Sequence, residues 1–116
     1  MGNSVSSATP AGPPRVLCIL NQSEVRGRVR QALERAGFVV SEAATGLDGV
    51  AAAERGAPDL VLVDFHLPDI EGTAVATHLR KSLSSMPIVA LAEPGHEHKL
   101  AISAGCNGVV DAPADY

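Results

Sequence analysis

Aromatic side chains are scarce: among 116 residues there are two Phe, one Tyr and no Trp. With 46% of the chain hydrophobic but only 3% aromatic, a core has to be built from Val, Leu, Ile and Ala. Cysteine is scarce as well. Cys18 and Cys106 stand alone; they are too few for a disulfide framework and read as buried free thiols. Basic residues are the minority, 9 Lys and Arg against 13 Asp and Glu, and they form no cluster. Nucleic-acid binding by this chain is therefore not expected, because phosphate contacts need grouped cations. No apolar run reaches the ~18 residues of a membrane span, and no signal-peptide pattern opens the chain. The expectation is a cytoplasmic protein without membrane contact.

What is present suits one domain with a single core. Residues 1–14, MGNSVSSATPAGPP, are rich in Gly, Ser and Pro and hold no periodicity. They read as a disordered tail, which leaves 15–116 as the domain. Gly2 with Ser6 fits the myristoylation pattern, a short motif that such a tail meets by chance.

From Arg15 onward, short apolar runs alternate with amphipathic stretches. Val16 to Leu20 reads as a buried strand, and Ser23 as the cap of a helix. Val25, Val29, Ala32, Leu33 and Ala36 give that helix its apolar spacing, and Gly37 stops it. Phe38 to Ala43 reads as a strand whose Ser41 and Glu42 suggest an exposed edge. Thr45 and Asp48 resemble a capping box ahead of a helix that ends at Gly56. Leu60 to Val63 is a third strand and residues 70 to 81 a helix, with Asp69 and Glu71 as charges favouring its amino end. Ile88 to Leu91, a helix over Glu97 to Ala104, and Gly108 to Val110 complete the series.

Four βα units followed by a strand, with near-continuous apolar strands, predict an α/β fold: a doubly wound five-stranded parallel sheet in the order 2-1-3-4-5, flavodoxin-like. Function in such sheets lies at the carboxyl ends of the strands. After the fifth strand only Ala112 to Tyr116 remain. The final helix is thus expected to be missing, leaving an apolar sheet face open to a partner.

The segment PDLVLVDFHLPDIEG, residues 58 to 72, places an Asp at the end of a buried strand, then Leu-Pro and a Gly four residues past the Pro. With Gly37-Phe38, EAATG at 42 to 46 and AGCNGVVDAP at 104 to 113, it resembles the receiver domains of two-component response regulators, over residues 15 to about 113. The resemblance implies that Asp64 is the phosphoacceptor position, served by a histidine kinase. In that chemistry two anionic groups meet, so a Mg2+ ion and a cation are needed.

The family's supporting residues are replaced in this chain. Its acidic pair falls on Leu20 and Asn21, its Thr or Ser on Ala92, its Lys on Ala112 and its switch aromatic on Val109. A metal would find the Asp64 side chain and the His66 backbone carbonyl. Each carboxylate–cation pairing lost at ~4 Å removes about 4 kcal/mol of attraction at an effective dielectric near 20. No cofactor is expected, Mg2+ entering only if phosphorylation is retained. Glu24 and Asp111 are the nearest other acids, and neither is expected to reach in. His66 reads as a loop residue at the mouth of the site. His96 and His98, two apart on one helix, do not share a face and make a poor metal pair. His78 reads as solvated.

The leading function is a non-enzymatic signal-transduction module of a phosphorelay, a pseudo-receiver acting through protein contacts. Its partners would be a histidine kinase or an output or adaptor domain. A homodimer through the uncovered sheet face, or through the fourth helix and fifth strand, is also expected. The alternative is a conventional receiver phosphorylated on Asp64. A doubly wound phosphotransfer enzyme is disfavoured, for its second Asp would fall on His66 and no Gly-rich phosphate loop precedes a helix. A purely structural dimerisation domain is a third reading.

Overall fold

The computed structural model describes residues 12–112. Nine elements alternate: β1 Arg15–Ile19, α1 Ser23–Arg35, β2 Val39–Ala43, α2 Gly46–Gly56, β3 Leu60–Asp64, α3 Gly72–Ser82, β4 Ile88–Ala92, α4 His96–Ser103 and β5 Gly108–Asp111. The strands form one parallel sheet in the order β2-β1-β3-β4-β5. This is the architecture and strand order expected from the βα repetition. Residues 1–11, including Gly2 and Ser6, and residues 113–116 lie outside the described part.

Strand alternation divides the core in two. Leu17, Ile19, Val61, Val63, Ile88 and Ala90 point to one face, where α2, α3 and α4 cover them with Ala53, Val75, Ala76, Leu79 and Ala101. Val16, Cys18, Leu20 and Leu91 point to the other, where α1 packs Val25, Val29 and Leu33 against them. Among the described residues α1 alone lies on that face, and one helix cannot span five strands. Leu60, Leu62 and Val89 are consequently half-buried and Val110 is 47% exposed. Cys18 and Cys106 are buried free thiols. Burial, with the nearby Glu42 carboxylate, pushes the Cys18 thiol up to about 11.

Several local assignments differ from the sequence reading. Ser23 does not cap α1: it is already helical, the cap position is Gln22, and no side chain caps there. Thr45 does cap α2, accepting a hydrogen bond from Asp48 N at 3.1 Å. Asp69 serves a different helix from the expected one. Because α3 begins only at Gly72, the Asp69 carboxylate instead accepts from Gly46 N at 2.8 Å and Leu47 N at 2.9 Å, capping α2 from across the fold. Those two amides hold its pKa below the ordinary carboxylate value. His78 is not simply solvated, since its Nε2 lies 3.0 Å from Glu54 Oε2 on α2.

Arginines secure the amino edge of the sheet. Arg80 donates to the carbonyls of Ser84, Met86 and Gly105 at 2.7–3.2 Å and to Asn107 Oδ1 at 2.9 Å. Asn107 Oδ1 also receives Ile88 N at 2.8 Å, so α3 is joined to the starts of β4 and β5. Arg15 reaches Gly56 O with its guanidinium and Asp59 Oδ2 with its amide.

Two positions make the backbone demanding. Ala57 closes α2 in the left-handed region at φ 44°. Gly72 sits so near the end of β3 that a Cβ there would overlap the Asp64 carbonyl oxygen and backbone of Phe65. Denaturant unfolding is expected to move in opposite directions at the two sites. Ala57→Gly should stabilise by about 1 kcal/mol, by relieving left-handed strain. Gly72→Ala should destabilise by roughly 2 kcal/mol, since neither backbone can yield to the added methyl.

Candidate functional site

The parallel sheet brings the carboxyl ends of β1, β3, β4 and β5 to one edge. β3 lies between β1 and β4, with Ile19 opposite Val63 and Asp64 opposite Leu91. Asp64 is the last residue of β3 and is 1% exposed, the one charged side chain in the buried set among the described residues. Its Oδ2 accepts from Asn21 N at 3.3 Å and its Oδ1 from His66 N at 3.1 Å. Burial pushes its pKa above the ordinary carboxylate value. The two amides oppose that shift without cancelling it, and the Glu97 charge adds to it.

The surrounding positions offer Asp64 little. Leu20 is fully buried beneath α1 among Val25 and Leu91. Asn21 contributes its backbone amide. Ala92 is 1% exposed and methyl-sized. Ala112 packs at the α1-side core, with its amide on Ala92 O at 2.9 Å. Val109 packs into the core on the α4 side. Glu24 stays exposed in the first turn of α1. Asp111 is 68% exposed and lies 3.0 Å from His98 Nε2, outside hydrogen-bonding alignment.

Three residues that sequence reasoning did not place in the site shape its rim. Arg26 turns its guanidinium onto Leu20 O at 2.7 Å and Glu42 Oε1 at 2.8 Å, fixing the β1–α1 loop. Asp69 ties the β3–α3 loop to α2, as described above. Glu97, in the first turn of α4, reaches back to the strand ends. Its Oε2 lies 2.7 Å from His66 Nε2 and its Oε1 accepts from Glu93 N at 2.9 Å. Glu97 lies between two histidines that drew attention as metal ligands; an acid in a first helical turn at the carboxyl edge of the sheet was the available signal.

The Glu97 contact pushes the His66 pKa up. Burial alone would raise the Glu97 pKa, but the Glu93 amide and His66 outweigh it and hold it below the ordinary value.

Among the positions that the family uses for Mg2+, Asp64 alone presents a carboxylate, and each of its oxygens accepts one backbone amide. Among the described residues no three His, Cys, Asp or Glu side chains are grouped to share a metal. Among these residues too, no helix is long and apolar enough to cross a membrane.

A sequence profile described as the response regulator receiver domain matches residues 16–115. The chain belongs to this family. It is a receiver domain of two-component signalling, and its sheet is the flavodoxin-like one shared with CheY-type proteins. Over 78 residues it is 31% identical to the transcriptional regulatory protein PrrA of Mycobacterium tuberculosis, a match covering 67% of this chain and 34% of PrrA. The chain thus matches about a third of that relative's length. It superposes on the Vibrio cholerae chemotaxis protein CheY4 with TM-score 0.82 at 25% identity, covering 88% of each chain. The receiver domain of a Pseudomonas aeruginosa sensor histidine kinase, whose structure holds magnesium in the active site cleft, gives TM-score 0.81 at 25% identity over 89% of this chain and 87% of that one.

The imidazole–carboxylate pair has a defined pH window. A His pKa raised on folding contributes stability that is present below the unfolded value of about 6.5 and lost as pH rises through the folded value. A lowered Glu pKa contributes stability present above about 4.3 and lost as pH falls through the folded value. The pair is therefore strongest between these limits. NMR titration of the His66 ring is expected to show a pKa above the ordinary histidine value, and Glu97→Gln should bring it back down.

Proposed function

We propose that this receiver works as a pseudo-receiver: it transmits signals through protein contacts, with Mg2+-dependent phosphorylation of Asp64 impaired. The observation that carries this reading is the environment of Asp64. A phosphoacceptor must bring its carboxylate against an anionic donor, which calls for compensating positive charge. Here the acidic-pair positions are a buried Leu20 and an Asn21 that offers its amide, and the Lys position is Ala112. The Thr or Ser position is Ala92 and the switch aromatic position is Val109, so the side chains that would register a phosphoryl group are absent as well.

Asp64 in this reading is the phosphoacceptor position kept as a structural group, tying the end of β1 to β3 through the Asn21 amide and holding its own loop through the His66 amide. Intact-mass measurement after incubation with acetyl phosphate and Mg2+ tests it. The expected result is an unchanged mass. A phosphoryl adduct that disappears in Asp64→Ala would overturn the proposal in favour of a conventional receiver.

The partners of such a module would be a histidine kinase or an output or adaptor domain, and a second copy of the chain is a further candidate. Leu100 and Ile102 on α4 are 40% and 52% exposed, and Val110 on β5 is 47% exposed on the opposite, α1-side face of the sheet, so both faces offer apolar surface for contacts. Sedimentation equilibrium over a wide concentration range should detect self-association, and the pair Ile102→Glu and Val110→Glu should abolish it. A wild-type chain monomeric at every concentration would remove the homodimer from this reading.

A further inference from the structure

The strands all run one way, so each helix starts at the carboxyl edge of the sheet and ends at the amino edge. Side chains that suit the helix dipoles then separate charge along the whole domain. Glu24, Asp48 and Glu97 lie in first turns, whereas Arg35, Arg55, Arg80 and Lys81 lie in last turns. Arg15 opens β1 at the same amino edge. Cations that are scattered along the chain are thus gathered by the fold. Arg35, Arg55 and Lys81 are exposed and form no ion pair among the described residues, and the same holds for Asp48 at the other edge.

Each edge also carries an apolar feature that the fold leaves unused. At the carboxyl edge Leu47 is 63% exposed, more than any other large hydrophobic residue in the described part. It stands in the first turn of α2 beside Asp48. Its backbone is held in place, because Asp69 accepts from the Gly46 and Leu47 amides at 2.8 and 2.9 Å. At the amino edge, between the loops that enter β3 and β4, lies a hollow of about 440 Å3. Pro58, Leu83, Met86 and Pro87 line it together with Ser84 and Ser85, and its one carboxylate, Asp59, accepts the Arg15 amide. The helices that lead into the hollow end in cations, Arg55 just before Pro58 and Lys81 just before Leu83.

We propose that the occupant of this hollow is Leu47 of a second copy, so that the domain associates head to tail. Knob and hollow lie at opposite edges and can meet only between molecules. The charges agree with that direction: Asp48 beside the knob approaches Arg55 and Lys81 beside the hollow, whereas joining two like edges would set cation against cation or acid against acid. The contact unites two different surfaces, and a repeat along the strand direction does not close on itself. It involves neither the sheet face nor the outer face of α4, and it is independent of the state of Asp64.

Sedimentation velocity on the full chain tests this. The average mass of wild type is expected to rise with concentration and to pass that of a dimer. Leu47→Ser removes the knob, and Ser84→Glu with Ser85→Glu places acids at the hollow; all three positions are exposed, so the fold is kept. Each variant alone should associate at least about ten-fold more weakly than wild type, the scale of burying one leucine. An equimolar mixture of the two should form a one-to-one complex and stop there, since one variant keeps its hollow and the other its knob. A wild type that never passes the dimer overturns the proposal. So does either variant assembling as tightly as wild type, the outcome expected if copies meet only through the sheet face or α4. A mixture no more associated than its separate components overturns it as well.

Discussion

The segment between Asp64 and Gly72 is the constraint on which the carboxyl edge of the sheet depends. It leaves the central strand β3 with a buried carboxylate held by two amides, and it returns so closely that Gly72 N donates to Phe65 O at 2.9 Å. On the way it sends Asp69 to the amino end of α2 and His66 to Glu97 on α4. One loop thereby touches two neighbouring helices. Its geometry needs Gly at 72, because any side chain would enter the space of the Asp64 carbonyl. Shifts in this loop would be felt at α2 and α4 together.

The charges along this edge compensate one another. A buried carboxylate without a partner is costly. Asp64 is accommodated by amides, by a raised affinity for its own proton, and by an imidazole nearby whose charge favours its ionised form. Glu97 and His66 then meet at the rim and neutralise each other whenever the imidazole is protonated. The cation that stands near β1, Arg26, spends its donors on Leu20 O and Glu42 rather than on Asp64. The result is a receiver cleft in which anions and donors are matched internally.

Much of the architecture was legible in the chain. Near-continuous apolar runs such as VLCIL and LVLV, with Gly37, Gly56 and Gly105 as stops, sufficed for element order and for the parallel sheet. The Asp64 position was legible because a buried strand ending in Asp, followed by Leu-Pro and Gly, is a local pattern. What stayed hidden was long-range. Asp69 capping α2, Glu97 reaching His66 and Arg80 reaching Gly105 O join residues 22 to 31 positions apart, and no local period encodes them. Ser23 misled for a related reason. A hydroxyl beside a helix start looks like a cap, but the helix began one residue earlier than that role requires.

The arginine clamps at the opposite edge give the fold an asymmetry. The amino edge is fastened mainly by guanidinium groups, Arg80 and Arg15 binding backbone carbonyls, with the Asp59 carboxylate on the Arg15 amide. The carboxyl edge is instead fastened by an imidazole and by carboxylates. The domain is built like a fan with a permanent rivet at one end and a releasable clasp at the other. Rearrangement of α4 would therefore be a tilt about the riveted edge, greatest where Asp64 lies, rather than a sliding of the whole helix.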